Sequence, residues 1–172
     1  MKFSDIQGQI QDGDYGLVDG TGLASDIIEL VTGGHISHIF KWVRINGVLT
    51  ISEFWEPGGY QDNPASVRLS QIQGKIYWGV APDGIRGNTA AAMSIITEFR
   101  NNPSLDRYGL ETLPMVAAAD DLGAVISPDH VQCVCSVYAQ RWDEACGAKF
   151  RTLMSPSDYG NYAKELITVE IG

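Results

Sequence analysis

A thiol, an imidazole and a carboxylate are the side chains with the most chemistry to offer in this sequence. The thiols are Cys133, Cys135 and Cys146, and the imidazoles are His35, His38 and His130. A free thiol is mostly protonated at neutral pH, and a neighbouring imidazole or a helix N-terminus makes it a nucleophile. A carboxylate that accepts a hydrogen bond from that imidazole fixes its tautomer and stabilises the imidazolium. An odd number of cysteines crowded into one region is not a disulfide framework. Cys133-x-Cys135 lacks zinc-ribbon spacing, and His130 with the three cysteines has no second ligand pair at the expected separation. The residues favour one reactive thiol with two bystanders, and no metal or cofactor is expected.

The stretch that positions the imidazole runs over residues 32–55. Two β-rich runs flank Asn46-Gly47. That pair is a strong hairpin signal, because both residues tolerate the positive φ of a type I′ turn. A two-residue turn fixes the register, so Ile45 faces Val48, Val43 faces Thr50, Phe40 faces Glu53 and His38 faces Trp55. Side chains alternate along each strand. His38, Phe40 and Trp42 therefore share a face with Ile51, Glu53 and Trp55. His38 and Glu53 are diagonal neighbours across the ladder, at about 7–8 Å, a gap that a Glu side chain spans. Taken singly, His38 reads as a satisfied strand histidine and Glu53 as a rim charge. Taken together on one face, they open the catalytic alternative. His35 follows two glycines at the strand entrance and ranks below His38. Glu56 is the runner-up to Glu53 and points to the opposite face if the strand continues that far.

The thiols sort by helical geometry. Ser127-Pro128-Asp129-His130 is a helix-start signal, with a capping hydroxyl, a proline at the first position and an acid in the first turn. A helix from there to about Cys146 places Cys135, Tyr138, Ala139 and Trp142 along one stripe. Cys133 and Cys135 then point about 200° apart, so only one of them faces the sheet. If the helix starts nearer Gln132, Cys135 lies in its first turn, where the macrodipole favours thiolate. Cys146 reads as a small buried hydrophobe.

The rest of the chain supplies the scaffold. Its 172 residues suggest one domain, and 44% hydrophobic residues with 19% charged are ordinary for a globular chain. A net charge of −9 argues against a nucleic-acid surface. No apolar run approaches the ~20 residues of a membrane span. The first residues lack the apolar core of a signal peptide. These features suggest a soluble chain, cytoplasmic or virion-associated. Residues 1–12 read as a loose polar lead-in. A strand is expected over 15–19, a helix over 23–31, further strands over 66–69 and 75–81, and a helix capped by Asn88 with Ala92, Ile95, Ile96 and Phe99 as core. Residues 105–125 read as broken helix, Ser155-Pro156-Ser157-Asp158 as a cap or turn, and 166–171 as a last strand.

In this order the motifs resemble a known family. Gly13-Asp14 before a strand, then Thr32-Gly33-Gly34 leading into Ile36-Ser37-His38-Ile39, resembles the opening of the circularly permuted NlpC-type papain-like cysteine peptidases, in their YiiX-like branch. The next strand of that family carries an acid near its end, matched by Ile51-Ser52-Glu53. The family's cysteine comes late, at a helix start matched by Cys135-Ser136-Val137-Tyr138, and a proline turn such as Ser155-Pro156 follows. The likeness covers roughly residues 13–160. The chain departs from the pattern at Val137, where an acid is usual, and at Phe40, where a glycine is common.

The resemblance implies an α+β fold, an antiparallel sheet packed against helices with the cysteine helix on the sheet. It implies Cys135 as nucleophile, His38 as general base and Glu53 as the residue that orients the histidine. The implied reaction is thiol hydrolysis of an amide or ester through an acyl-enzyme, with the stem peptides of peptidoglycan as one target. Acyl transfer or lipid-ester cleavage is the enzymatic alternative. A catalytically silent binding module, of a phage or bacterial accessory kind, is the alternative of another class.

Overall fold

The computed structural model describes residues 1–21, 34–55, 59–102 and 135–171. The expected helix over 23–31, the broken helix over 105–125, the helix start at 127–130, and Glu56, His130 and Cys133 lie outside the described residues.

An antiparallel sheet of six strands organises them. In chain order the strands are β1 (Tyr15–Gly20), β2 (His38–Ile45), β3 (Val48–Trp55), β4 (Gly59–Pro64), β5 (Gly74–Val80) and β6 (Glu165–Val169). Across the sheet they run β4-β3-β2-β1-β5-β6. With its helices the chain is α+β, as the sequence suggests.

The hairpin forms as the turn chemistry requires. Asn46 has φ +51° and Gly47 φ +80°, and the ladder pairs Ile45 with Val48, Val43 with Thr50 and Lys41 with Ser52. The pleat then divides the core. On one face Val43 and Phe54 pack against Ala92, Ile96 and Phe99 of the Thr89–Asn101 helix and Tyr138 and Trp142 of the Cys135–Ala145 helix. Asn88 caps the first of these helices, its side chain accepting from the Ala91 N–H at 3.2 Å. On the other face Phe40, Trp42, Ile51 and Trp78 are covered by Ile6, Ile10 and Leu69.

Residues 1–12 are tied down, not loose. Phe3–Ile6 forms a short helix, Ile6 and Ile10 are buried, and Arg44 and Arg86 donate to the carbonyls of Gln7 and Gln9 at 2.7 and 2.9 Å. The polar composition hid two apolar anchors at i and i+4. Residues 66–69 also differ from expectation. They belong to the Ala65–Arg68 helix and a following 3-10 turn, not to a strand. Ala65, Arg68 and Leu69 are buried while Val67 is exposed, which is helical spacing. The strand comes just before, at Gly59–Pro64, a stretch to which the sequence reading assigns no element. Pro64 ends its ladder because it has no N–H to donate.

Gly13-Asp14 locks the start of β1. The buried Asp14 carboxylate accepts from the Gln11 and Ala81 backbone N–H groups, Trp78 Nε1 and Arg86 Nε at 2.9–3.0 Å. A methyl at Gly16 would sit 1.9 Å from the Phe40 ring. The space left by that glycine is what lets a phenylalanine stand two residues after His38.

Candidate active site

His38 is the first residue of β2 and Glu53 lies near the end of β3. Their side chains meet as the register predicts, with His38 Nε2 2.7 Å from Glu53 Oε2. His38 is 6% exposed and Glu53 fully buried. Trp55 packs against the imidazole with the two rings near perpendicular, centroids 4.8 Å apart. The backbone that feeds β2 is pinned too. Ser157, from the Pro156–Tyr162 helix, accepts from the Ile36 N–H at 3.2 Å, and Ser37 N–H donates to the Val18 carbonyl at 2.9 Å.

Cys135 arrives from the other side of the sheet. It packs with Tyr15, Leu17 and Ile39 on the face that carries the helices, whereas His38 and Glu53 lie on the Phe40 and Trp42 face. The pairing of β2 with β3 runs only to Lys41 and Ser52. At that open end of the hairpin Cys135 comes near enough to His38 to act on its charge, favouring the protonated ring. Glu53 occupies Nε2. Cys135 is 2% exposed.

The electrostatics follow from those contacts. Burial disfavours charge on His38, but Cys135 and Glu53 outweigh it and push the imidazole from its ordinary 6.5 up to about 9. Burial also disfavours charge on Glu53, yet His38 and Arg68 hold its carboxyl below the usual range. Two contacts that the sequence reading missed complete Glu53. Gln61 Nε2 donates to Oε1 at 3.0 Å, and Arg68 Nε donates to the same oxygen. Gln61 sits on β4 and Arg68 on the helix that replaced the expected strand.

The other candidates separate cleanly. His35 is exposed. Cys146 is half-buried, with burial pushing its thiol up. Among the described residues no group of three or more His, Cys, Asp or Glu side chains is arranged to hold a metal ion, and no helix is long and apolar enough to cross a membrane.

These pKa directions predict a pH-dependent stability. A group raised above its unfolded value stabilises the fold below that value and loses its contribution as pH rises through the folded one. The His38 contribution is therefore complete below 6.5 and lost through about 9. Thermal melts of wild type should fall across that window. In His38→Ala that part of the slope should disappear.

No family model matches this chain, and no curated protein does. Among solved structures the chain is similar to the crystal structure of metalloprotein YiiX from Escherichia coli O157:H7, DUF1105. Identity is 18%, over 95% of this chain and 98% of that one, with a TM-score of 0.49.

Proposed function

We propose that this protein is a thiol hydrolase, a cysteine peptidase or amidase, on a permuted papain-like fold. The observation that carries the reading is a buried imidazole held by Glu53 at 2.7 Å, with Cys135 beside it favouring its charged form. In the proposed reaction the Cys135 thiolate attacks a carbonyl carbon. A C–S bond forms, the C–N or C–O bond breaks, and the leaving group takes its proton from His38. His38 then takes a proton from water, whose oxygen attacks the thioester and frees the acid and the thiol. Glu53 acts through His38, holding the ring in place and stabilising its charged form. The motif resemblance points to peptides as substrates, including peptidoglycan stems.

The test is a mass measurement. Incubation with peptide anilides and activated esters should leave one acyl group on the Cys135 peptide, and none in Cys135→Ala. Partitioning of that acyl group to an added amine or lipid would favour the acyl-transfer alternative over hydrolysis. A silent binding module has one observation in its favour, the 2% exposure of Cys135. No acyl adduct with any donor would select that reading.

A further inference from the structure

We propose that Arg68 is a positioning residue of this site: it keeps Glu53 a carboxylate aimed at His38, so the imidazole can release and regain its proton while its partner's charge stays fixed. The inference rests on the Cys135, His38 and Glu53 reading and names a residue outside it.

Glu53 is a fully buried carboxylate. Its Oε2 faces His38 at 2.7 Å, and its Oε1 receives Gln61 and the Arg68 guanidinium. Arg68 is itself 4% exposed, and its guanidinium carbon lies 4.2 Å from the centre of the Trp55 ring. That same Trp55 abuts His38. The second terminal nitrogen, Nη2, is buried and has no hydrogen-bond partner among the described residues. An arginine placed for stability alone would have its donors satisfied, because burying an unpaired donor is costly. Here Nε is committed to Glu53, the flat face to Trp55, and one nitrogen goes without. What the arrangement supplies is a fixed positive charge against the carboxylate.

The charge matters because a general base must spend part of each cycle neutral. When His38 is neutral, Glu53 without Arg68 is a buried charge with only an amide beside it, and such a charge is strongly unfavourable. The site would instead hold its proton. Among the described residues the ionisable groups at this point are few. Cys135 faces His38 from the cysteine helix, Glu53 faces it from β3, and Arg68 faces Glu53 from the Ala65–Arg68 helix. Removing the only cation other than His38 among them raises the proton affinity of the cluster, and His38, the stronger base beside a Glu53 held below the usual carboxylate range, is the group that keeps the proton.

The test reads His38 directly, by proton NMR titration of its ring C–H signals in the full-length protein. Arg68→Met should move the His38 midpoint upward by about one unit, within the range that a neighbouring opposite charge produces. Arg68→Gln, which keeps a polar side chain, should move it the same way and carries the test if the methionine variant does not fold. Arg68→Lys, which keeps the charge, should leave the midpoint near wild type. In a Glu53→Gln background the Arg68→Met shift should shrink, since Arg68 acts through Glu53. If Arg68→Met and Arg68→Gln lower the melting temperature and leave the His38 midpoint unchanged, Arg68 is a structural ion-pair partner and the inference is overturned. Because the readout is His38 and not turnover, an inert Cys135 with a shifted His38 would sink the hydrolase reading while this inference survived.

Discussion

His38→Ala should slow acylation of Cys135 by an activated ester by about 10²- to 10⁴-fold, the usual contribution of one positioned acid–base group. The expectation comes from placement. His38 hydrogen-bonds a buried carboxylate at 2.7 Å, and Cys135 acts on the charge of the same ring. Loss of that ring removes the proton acceptor for Cys135 and leaves Glu53 with Arg68 as its only cationic partner among the described residues. Stopped-flow acylation at saturating ester is the measurement. Glu53→Ala should lose less, because Glu53 touches His38, Gln61 and Arg68 but not the reacting atoms. A His38→Ala protein that acylates within a fewfold of wild type would remove the histidine from the mechanism.

The largest expected effect on stability lies one layer deeper. Lys41 points to the helix side of β2 and is fully buried. Its ammonium donates to the Gly13 carbonyl at 2.9 Å and to Asp143 on the cysteine helix, and it lies 3.9 Å from the centre of the Tyr15 ring. Tyr15 OH donates to the other Asp143 oxygen at 2.7 Å. Burial lowers the Lys41 pKa and raises that of Asp143, and each charge offsets the burial of the other. Lys41→Met should cost about 3–5 kcal/mol, because it strands a buried carboxylate. Asp143→Leu should cost a similar amount, because it strands a buried ammonium. Lys41→Met with Asp143→Leu should recover much of it, since no buried charge is then left unpaired. Denaturant midpoints of the four proteins give the cycle. Singles within about 1 kcal/mol of wild type would place water or another partner beside the pair.

The same pair shows what the sequence could and could not tell. The His38 and Glu53 geometry was legible because it is local. Asn46-Gly47 sets the register, and the two-residue period carries it out to both side chains. The Asn88 and Ser155 caps were legible for the same reason, as short-range hydrogen bonds with known spacing. The Lys41 and Asp143 pair joins residues 102 positions apart, and no periodicity encodes such a partner. Arg68 was hidden differently. Ser66-Val67-Arg68-Leu69 alternates like a strand, but Ala65 and Leu69 are both apolar at i and i+4, and that helical reading put Arg68 inside. Gln61 went unseen because Gln61-Asp62-Asn63 has poor strand propensity, and pairing with β3 overrides it. The residues alone did not say that Cys135 reaches His38 from the opposite face; the family resemblance implied the partnership, and the early end of the β2 and β3 ladder provides the route.

The most direct test of the central claim is the pH profile of Cys135 alkylation by iodoacetamide, mapped by mass spectrometry in wild type, His38→Ala and Glu53→Ala. The account predicts that Cys135 alone reacts fast below about pH 7, well under the ordinary thiol midpoint of about 8.5, and that His38→Ala abolishes this. A Cys135 that titrates as a free thiol, or stays inert in the folded protein, with His38→Ala changing nothing, would contradict it.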